Sequence, residues 1–452
     1  MGRGATRSHT GPPRHLGAVP RFGYARPVRS ITCIGLALLA ACGSGPAGAP
    51  SSPAAPCTPR TLPGPPALTT LASGFGSWAG KARPLVGVSA GDAAAKAAPY
   101  DLRYLYLAGA LPDGAGPCAS CASGCTSQGA SCANSAGCNW WGCWQYDQDP
   151  PGAYVRAFVQ RAKADGQIPM FTYYLVLQAS GLAEGTTEVA AVNDAAFLAR
   201  YLNDWRFVLQ QIGREKAVLH LEPDFWGYGQ HLNAAPASIP AAVKAANPTD
   251  CGAEDNTLAG LGRCLIAMVR TYATHATVGL HASGWGSGLD CFNNTSCPSP
   301  AAEGTKVGAW LAAAGAGSGD FIASDMSDRD AGWYEAQCAA ADTTCRQLHW
   351  WSDGNFARAF SWAKAAAEAA GKPVLWWQTP VGNSRQGNVA NHWKDNRVEW
   401  LFPHIADLAA AHGAGVAFGA GVSGQTTPET DGGVLAASTA LYAAGGGTLT
   451  CP

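Results

Sequence analysis

The sequence predicts an α/β fold, a (β/α)8 TIM-type barrel with a cysteine-rich insertion after its second strand. Short apolar runs alternate with longer segments of helical spacing, and this alternation occurs eight times over about 360 residues. Such alternation favours a parallel sheet with crossover helices, and eight units of this length match a barrel with insertions. An open doubly wound sheet is the alternative, although neither a G-x-G-x-x-G motif nor a P-loop supports nucleotide binding.

The predicted strands are the apolar runs at residues 84–91, 102–108, 168–178, 217–221, 276–281, 320–325, 372–378 and 414–420. The predicted helices lie at residues 154–164, 191–212, 257–273, 307–314, 355–370, 402–412 and 433–444. In the longest helix, Phe197, Tyr201, Trp205 and Leu209 are four apart, which indicates one buried face. The insertion after strand two, residues 112–146, is rich in Gly, Ser and Cys.

Residues 1–41 have the pattern of an export signal. Met1–Ser30 contains six arginines and no acidic residue, and the apolar run Ile31–Ala41 is too short to span a bilayer as a helix. The segment Leu39-Ala-Ala-Cys42-Gly resembles a bacterial lipobox, which implies cleavage before Cys42 and a diacylglyceryl group on its sulfur. Ordinary signal cleavage nearby is the alternative. We therefore expect an exported protein, lipid-anchored to the bacterial cell envelope.

Residues 42–82 are predicted to be a tether rich in Pro, Ala and Gly, and residues 83–452 to be the barrel. Without the leader the chain has 24 basic residues (30 minus 6) and 31 acidic residues, a formal charge of −7. This charge argues against nucleic acid as a partner. We expect a monomer that binds a polysaccharide, needs no cofactor and meets the membrane only through its lipid.

The cysteine content indicates disulfide bonds. Of 16 cysteines, 14 remain after Cys33 and Cys42 are set aside, and an exported chain with an even number favours bridges. Close spacing predicts the pairs Cys251–Cys264, Cys291–Cys297 and Cys338–Cys345, and leaves Cys57 and Cys451 to join the two ends of the domain. The insertion holds six more, for which three disulfides are favoured over a zinc site.

Acids, amides and aromatic residues follow the predicted strands, where parallel-barrel enzymes have their active sites. Because indole faces stack on sugar rings while carboxylates and amides bind hydroxyls, this combination indicates a carbohydrate site. The predicted catalytic residues are Glu222, Asp224 and Asp325. The predicted substrate-binding residues are Trp226, Tyr228, His281, Trp285, Asp328, Asp330, Trp376, Gln378 and Asn383.

Glycoside hydrolysis needs two carboxyl groups on either side of the scissile bond, one of them protonated. Glu222 directly follows a buried strand and is expected to be the general acid, with Asp325 as its partner and Asp224 in reserve. For Asp328 and Asp330 the alternative is to cap the next helix, and for His281 the alternative is a buried core histidine. No H-E-x-x-H spacing supports a metal site, and none is predicted.

The residues quoted above resemble those of known glycosidases. Retaining barrel glycosidases place an acid/base Glu after strand four, where Glu222 lies, and a nucleophile Glu after strand seven, where this chain has Gln378. The run Leu221-Glu-Pro-Asp224, the loop Ser283-Gly-Trp285 and the strand Gly319-Asp-Phe-Ile-Ala-Ser-Asp325 resemble the family 6 glycoside hydrolases, which are inverting cellulases. That resemblance implies a glycan cleft.

One departure from family 6 concerns the general acid. That family carries it in an Asp-rich loop one strand earlier, whereas this chain has no acid between Tyr174 and Glu184. In that family the Glu-Pro-Asp acids support binding and charge more than proton donation. Two hypotheses follow: a surface-anchored glycoside hydrolase acting on a polysaccharide, or a non-catalytic barrel that binds glycans or cell-wall material.

Overall fold

A computed structural model describes residues 59–108, 111, 152–293 and 295–450. Eight parallel strands close into a barrel in chain order, with β8 pairing with β1, so the predicted (β/α)8 barrel is confirmed. The barrel strands are β1 (Leu85–Val88), β2 (Leu102–Ala108), β3 (Ile168–Tyr174), β4 (Val218–Leu221), β5 (Thr277–His281), β6 (Phe321–Asp325), β7 (Val374–Thr379) and β8 (Gly413–Phe418).

Helices surround this barrel. The α-helices of the described residues are Thr70–Ala79, Asp92–Ala95, Ala153–Ala164, Val176–Ser180, Thr186–Val189, Ala195–Ile212, Phe225–Leu232, Val243–Ala246, Leu258–Tyr272, Pro300–Ala313, Ala331–Gln337, Thr343–Gln347, Asp353–Ala370, Arg397–Leu401, Ile405–Ala410 and Val434–Ala443. Short 3-10 helices lie at Ala190–Asn193, Pro236–Ser238 and Ala316–Ser318. The helix predicted at 307–314 begins earlier because Pro300 occupies its first position and the Ser299 side chain caps the N–H of Ala302.

The third predicted strand ends earlier than expected. β3 stops at Tyr174, and the apolar residues that continue the run form the short helix Val176–Ser180. An apolar run of this length does not distinguish a buried strand from a buried turn of helix. The backbone direction changes at this point, where the N–H groups of Leu175 and Val176 bind the side chain of Glu222.

Alternation along the strands separates two apolar layers. Leu85, Met170, Val218 and Leu375 belong to the barrel interior, whereas their neighbours along each strand pack outward against the helices. The barrel interior is closed at the N-terminal ends of the strands by Phe75, whose ring centroid lies 5.4 Å from that of Phe321. The opposite end, formed by the C-terminal ends of β1–β8, is called the mouth below.

The folded unit begins earlier than the predicted boundary at residue 83. The strand Arg60–Leu62 pairs with Gly447–Leu449, and the helix Thr70–Ala79 buries Ala72 and Phe75. The prediction of a tether is therefore wrong for residues 60–82. Low charge and frequent proline suggested a linker, but Leu62 and Phe75 bury their apolar side chains in the fold. The leader, Cys42 and residues 43–58 lie outside the described residues.

The Phe75→Ala variant is expected to lower the free energy of unfolding by about 3 kcal/mol, since it leaves a cavity at the closed end of the barrel. Urea unfolding followed by tryptophan fluorescence measures this loss. Ser77→Ala on the exposed face of the same helix is the matched control and should change stability by less than about 0.5 kcal/mol. Equal stability of the two variants would show that Phe75 is not part of the core.

Three predicted disulfides are confirmed: Cys251–Cys264, Cys291–Cys297 and Cys338–Cys345. Cys57, Cys451 and the six cysteines of the insertion lie outside the described residues. Disulfides are typical of proteins that fold outside the cytoplasm. Among the described residues, no helix combines the length and apolar character needed to cross a bilayer.

Candidate active site

The centre of the mouth is formed by Asp224, His281 and Asp325, which follow or end the neighbouring strands β4, β5 and β6. Both carboxylates are partly exposed, whereas the His281 side chain is only 1% exposed. Asp224 interacts electrostatically with both His281 and Asp325. The structure therefore brings together two of the three carboxylates predicted to be catalytic.

Glu222, the predicted general acid, lies elsewhere. Its backbone has φ 47°, and its fully buried carboxylate accepts hydrogen bonds from Leu175 N at 3.1 Å, Val176 N at 3.3 Å and the Tyr201 hydroxyl at 2.8 Å. Tyr201 belongs to the surrounding helix Ala195–Ile212, and so the carboxylate faces away from the mouth. Burial raises the pKa of Glu222 to about 7. The carboxylate cannot reach a substrate in this conformation, and it instead holds the chain that follows β3.

Asp224 occupies the position at the mouth that the alternation of side chains along β4 predicted for Glu222. A second left-handed residue, Asp224 itself with φ 65°, returns the chain to the mouth and leaves its side chain partly exposed. Burial raises the pKa of Asp224 to about 7; His281 lowers it, whereas the negative charges of Asp325, Glu184 and Asp328 raise it further. A carboxyl group that keeps its proton up to neutral pH is suited to donate it.

A row of polar side chains leads from the barrel interior to Asp325. Thr172 Oγ1 lies 3.2 Å from His220 Nδ1, and His220 Nε2 lies 3.1 Å from His281 Nδ1. His281 Nε2 then lies 3.4 Å from Asp325 Oδ1. Burial, with His281 as a smaller cause, lowers the pKa of His220 well below its usual value, so His220 is neutral.

The floor of the mouth is aromatic. Trp377 projects into the barrel, with its ring centroid 5.4 Å from Tyr106 and 4.7 Å from His220. The Tyr106 hydroxyl donates to Gln378 Oε1, and burial raises the pKa of Tyr106 so that the hydroxyl keeps its proton. Gln378 is 6% exposed and has φ 53°. Tyr106 and Trp377 are not among the predicted substrate-binding residues, although alternation from Leu375 places Trp377 on the inward face.

One side of the mouth carries a pair of partly exposed aromatic rings. The ring centroids of Tyr228 and Trp285 are 4.7 Å apart, and the His231 ring centroid lies 5.1 Å from that of Trp285. The Tyr228 hydroxyl donates to Glu184 Oε1 at 3.2 Å. Tyr228 also interacts electrostatically with Asp224, which places this pair beside the central acids. Both rings are partly exposed, and their role in sugar stacking stays a prediction.

A second group of partly exposed residues follows β6. The Asp328 carboxylate accepts hydrogen bonds from the Arg329 guanidinium and the Tyr334 hydroxyl. Arg329 lies over the Trp333 ring at 4.7 Å from its centroid. Tyr334 stacks on His349 with the ring centroids 3.6 Å apart. Asp328 raises the pKa of Asp224, so this group also lies near the central acids.

Four of the buried residues that were predicted to bind substrate contact the backbone or the outer core instead of the central acids. Trp226 donates to Leu221 O at 3.0 Å, and Trp376 packs outward between the barrel and the helices. Asp330 accepts from the N–H groups of Gly382 and Thr426, both at 2.9 Å, while Asn383 Nδ2 donates to Asp431 O at 2.7 Å. This conformation does not support the predicted binding roles of Trp226, Trp376, Asp330 and Asn383, which stay predictions. Asp330 and Asn383 hold the loops that follow β6, β7 and β8.

Within the described ranges, no group of three or more His, Cys, Asp or Glu side chains could hold a metal ion. The predicted lipidation site, Cys42, and the insertion at 112–146 lie outside those ranges.

Comparison with known proteins gives the following findings. No protein-family model matches the sequence, and no curated protein matches it. A modular endo-β-1,4-mannanase of glycoside hydrolase family 26 from Cellulomonas fimi has a similar structure, with 12% identity and a TM-score of 0.45 over 83% of this chain and 74% of that one. The endoglucanase Cel6 from Mycobacterium tuberculosis has 12% identity and a TM-score of 0.28 over 50% of this chain and 56% of that one.

Proposed function

We propose that this protein is a glycoside hydrolase that cleaves a polysaccharide at the mouth of the barrel. The observation that carries the proposal is the pair of partly exposed carboxyl groups, Asp224 and Asp325, of which Asp224 has a pKa of about 7. A protonated carboxyl group beside a second carboxylate is the arrangement that glycosidic bond cleavage requires. Aromatic rings on either side of the acids support a sugar as the substrate.

In the proposed reaction, Asp224 donates its proton to the glycosidic oxygen as the bond to the anomeric carbon breaks. Asp325 acts on the opposite side of the sugar ring, either as a base that removes a proton from the attacking water or as a nucleophile. Both roles place negative charge beside the positive charge that develops on the sugar. Glu222 has no part in proton transfer and keeps the loop after β3 in place.

The remaining residues at the mouth are assigned to substrate binding. Tyr228 and Trp285 form a stacking surface for one sugar unit, the Asp328 carboxylate accepts hydrogen bonds from hydroxyl groups, and the Gln378 amide can donate to them or accept from them. His281 borders both carboxylates. These assignments retain four of the nine binding residues predicted from the sequence, because His281 is only 1% exposed and lies against the carboxylates.

We further propose that the protein acts outside the cytoplasm, anchored through a lipid on Cys42. The lipobox-like sequence and the disulfides of the barrel support this location. A chain of formal charge −7 after removal of its leader is not expected to bind nucleic acid, and we expect it to be monomeric. Metabolic labelling with a clickable fatty acid, with Cys42→Ala as control, tests the anchor. A label that persists in Cys42→Ala contradicts it.

A glycan-binding protein without catalytic activity is the second candidate. The observation in its favour is Gln378, an amide at the end of β7 where retaining barrel glycosidases carry a carboxylate. Such a protein would use the same aromatic rings and would not cleave its ligand.

The deciding experiment measures new reducing ends and product lengths after incubation with soluble β-mannan, β-glucan, xylan, α-glucan and chitin fragments. Affinity electrophoresis on the same polymers measures binding separately. Cleavage of any polymer that is lost in Asp224→Asn supports the hydrolase. Retardation without cleavage supports the binding protein, and neither effect with any polymer contradicts both candidates.

The Trp285→Ala variant is expected to raise KM about 10-fold and leave kcat within about twofold, because stacking stabilises bound substrate and transition state alike. Trp285→Phe, which keeps an aromatic face, should recover most of the affinity. Trp78→Ala at the opposite end of the barrel is the matched control and should leave KM unchanged. Initial rates over a range of polymer concentrations provide the measurement. A fall in kcat alone would contradict a role in stacking.

A further inference from the structure

We infer that Thr172, His220 and His281 form a hydrogen-bond relay that positions Asp325, with Nε2–H of His281 as the donor to its carboxylate. The inference rests on the proposed function, for which Asp325 must hold one orientation beside the substrate. It assigns His220 and Thr172, which do not touch the substrate, a role in the reaction as positioning residues.

The relay crosses four adjacent strands in one direction. Its members come from β3, β4, β5 and β6, and Thr172 is directly paired with His220 in the strand register. Thr172 and His220 are 0% exposed and His281 is 1% exposed, so water does not compete for their polar atoms. The Asp325 side chain, at 26% exposure, is the point where the row reaches solvent.

The position of each proton follows from the two ends of the relay. If His281 carried its proton on Nδ1, its Nε2 lone pair would face Asp325 Oδ1 at 3.4 Å, which is repulsive for a carboxylate. With the proton on Nε2, His281 donates to Asp325, and Nδ1 accepts from Nε2–H of His220. His220 Nδ1 then accepts from the Thr172 hydroxyl. Every donor in this arrangement faces an acceptor.

The last contact is longer than the others. His281 Nε2 is buried and lies 3.4 Å from Asp325 Oδ1, but the two do not form a well-aligned hydrogen bond. Catalytic hydrogen bonds are often long in the absence of substrate and shorten when it binds. A sugar ring over the mouth would push the Asp325 carboxylate toward His281, which completes the relay.

The charged and titratable groups around the relay are few. Asp224 faces His281 from the end of β4, and Tyr106 from β2 interacts electrostatically with Asp325. Trp377 from β7 packs its ring edge-on against both histidines, with centroid distances of 4.7 Å and 5.8 Å. Trp377 and the strands enclose His220, whose lowered pKa keeps it neutral while protons move at the mouth.

The first test is independent of any substrate. Long-range 15N–1H spectra of the histidine-labelled full chain distinguish the two neutral tautomers and the imidazolium. We expect the Nε2–H tautomer for both relay histidines at pH 7, and a mixture of tautomers at His220 in Thr172→Val, which removes the hydroxyl donor. The Nδ1–H tautomer at His281 in the wild-type protein would overturn the inference, whether or not the protein hydrolyses a polysaccharide.

The second test measures kcat on a polymer that the wild-type protein cleaves. His281→Phe removes the donor and should lower kcat about 100-fold with little change in KM, because a misplaced catalytic group costs roughly this factor. His281→Gln places an N–H near the position of Nε2 and should recover at least 10-fold of the loss. His275→Gln, at an exposed histidine beside Trp78 at the closed end of the barrel, is the control and should keep wild-type kcat.

The two histidine variants also test a purely structural role. Such a role would lower thermal stability in His281→Phe and His281→Gln without separating their kcat values, and equal rates for the two variants would overturn the inference. If the wild-type protein cleaves no polymer, the proposed function fails, while the tautomer measurement still decides whether the relay exists.

Discussion

The Asp224→Asn variant is expected to lose about 10³-fold in kcat, because a positioned proton donor contributes about 10²- to 10⁴-fold to such reactions. Asparagine keeps the size of the side chain but has no proton to donate at the required acidity. The loss should be largest for natural polymers and much smaller for aryl glycosides, whose leaving groups depart without protonation. Initial rates on both kinds of substrate provide the measurement.

The pH dependence of kcat in the wild-type protein is a second test of the protonation of Asp224. Because the pKa of Asp224 is raised to about 7, the group stays protonated in weak acid, and kcat should fall as pH rises above about 7. This alkaline limb should vanish in the residual activity of Asp224→Asn. An unchanged limb in the variant would assign the titration to another residue.

Variants of two neighbouring carboxylates separate the loss of a proton donor from the loss of a negative charge. Asp328→Asn removes a carboxylate at the rim that is 41% exposed, and should lower kcat less than 10-fold. Asp325→Ala should also abolish cleavage. Addition of azide to Asp325→Ala should generate a glycosyl azide if a carboxylate had acted on that face of the sugar. Full activity of Asp325→Ala without azide would remove Asp325 from the mechanism.

The barrel could be predicted from the sequence because its signals are local. Each strand is a short apolar run, and the strand ends differ from the predicted ends by a few residues, as at Leu85–Val88 within the predicted range 84–91. Parallel pairing then follows from the helices between the runs. The helix Thr70–Ala79 was missed because its contacts with the closed end of the barrel are far apart in sequence.

The site was only partly predictable, because alternation fails where the backbone leaves the strand conformation. Glu222 and Asp224 adopt positive φ, so Glu222 turns outward and Asp224 returns to the mouth. Strict alternation would have placed Glu222 beside His220 on the inward face. Non-glycine residues in this conformation are uncommon and cluster at functional sites, and no pattern in the sequence marks them.

The two adjacent tryptophans of β7 are a second case in which the sequence alone did not identify the residue at the site. Neighbouring residues on a strand face opposite layers, so only one of Trp376 and Trp377 can enter the barrel. The register of β7 puts Trp377 inside and Trp376 in the outer core. Composition identified an aromatic site, whereas the choice between the two rings required the paired strands.

The Glu222→Ala variant is expected to lower the free energy of unfolding by about 4 kcal/mol. Removal of the carboxylate leaves the N–H groups of Leu175 and Val176 and the Tyr201 hydroxyl without an acceptor in a buried space, and each such group costs about 1–3 kcal/mol. Urea unfolding at pH 6 measures the effect. Glu215→Ala, at an exposed carboxylate, is the control and should change stability by less than about 0.5 kcal/mol.

Glu222→Gln distinguishes the hydrogen bonds from the charge. The pKa of Glu222 is raised to about 7 in the folded protein from an ordinary value of 4.5, so its stabilising contribution is complete below pH 4.5 and is lost as pH rises through 7. Glutamine cannot ionise, and the free energy of unfolding of Glu222→Gln should therefore fall less between pH 5 and pH 8 than that of the wild-type protein. The stability difference between the two proteins should narrow over this interval as the wild-type carboxyl ionises. A stability difference that widens as pH rises would mean that Glu222 stabilises the fold as a carboxylate. If Glu222→Gln is as stable as the wild-type protein but has no turnover, Glu222 would be the proton donor.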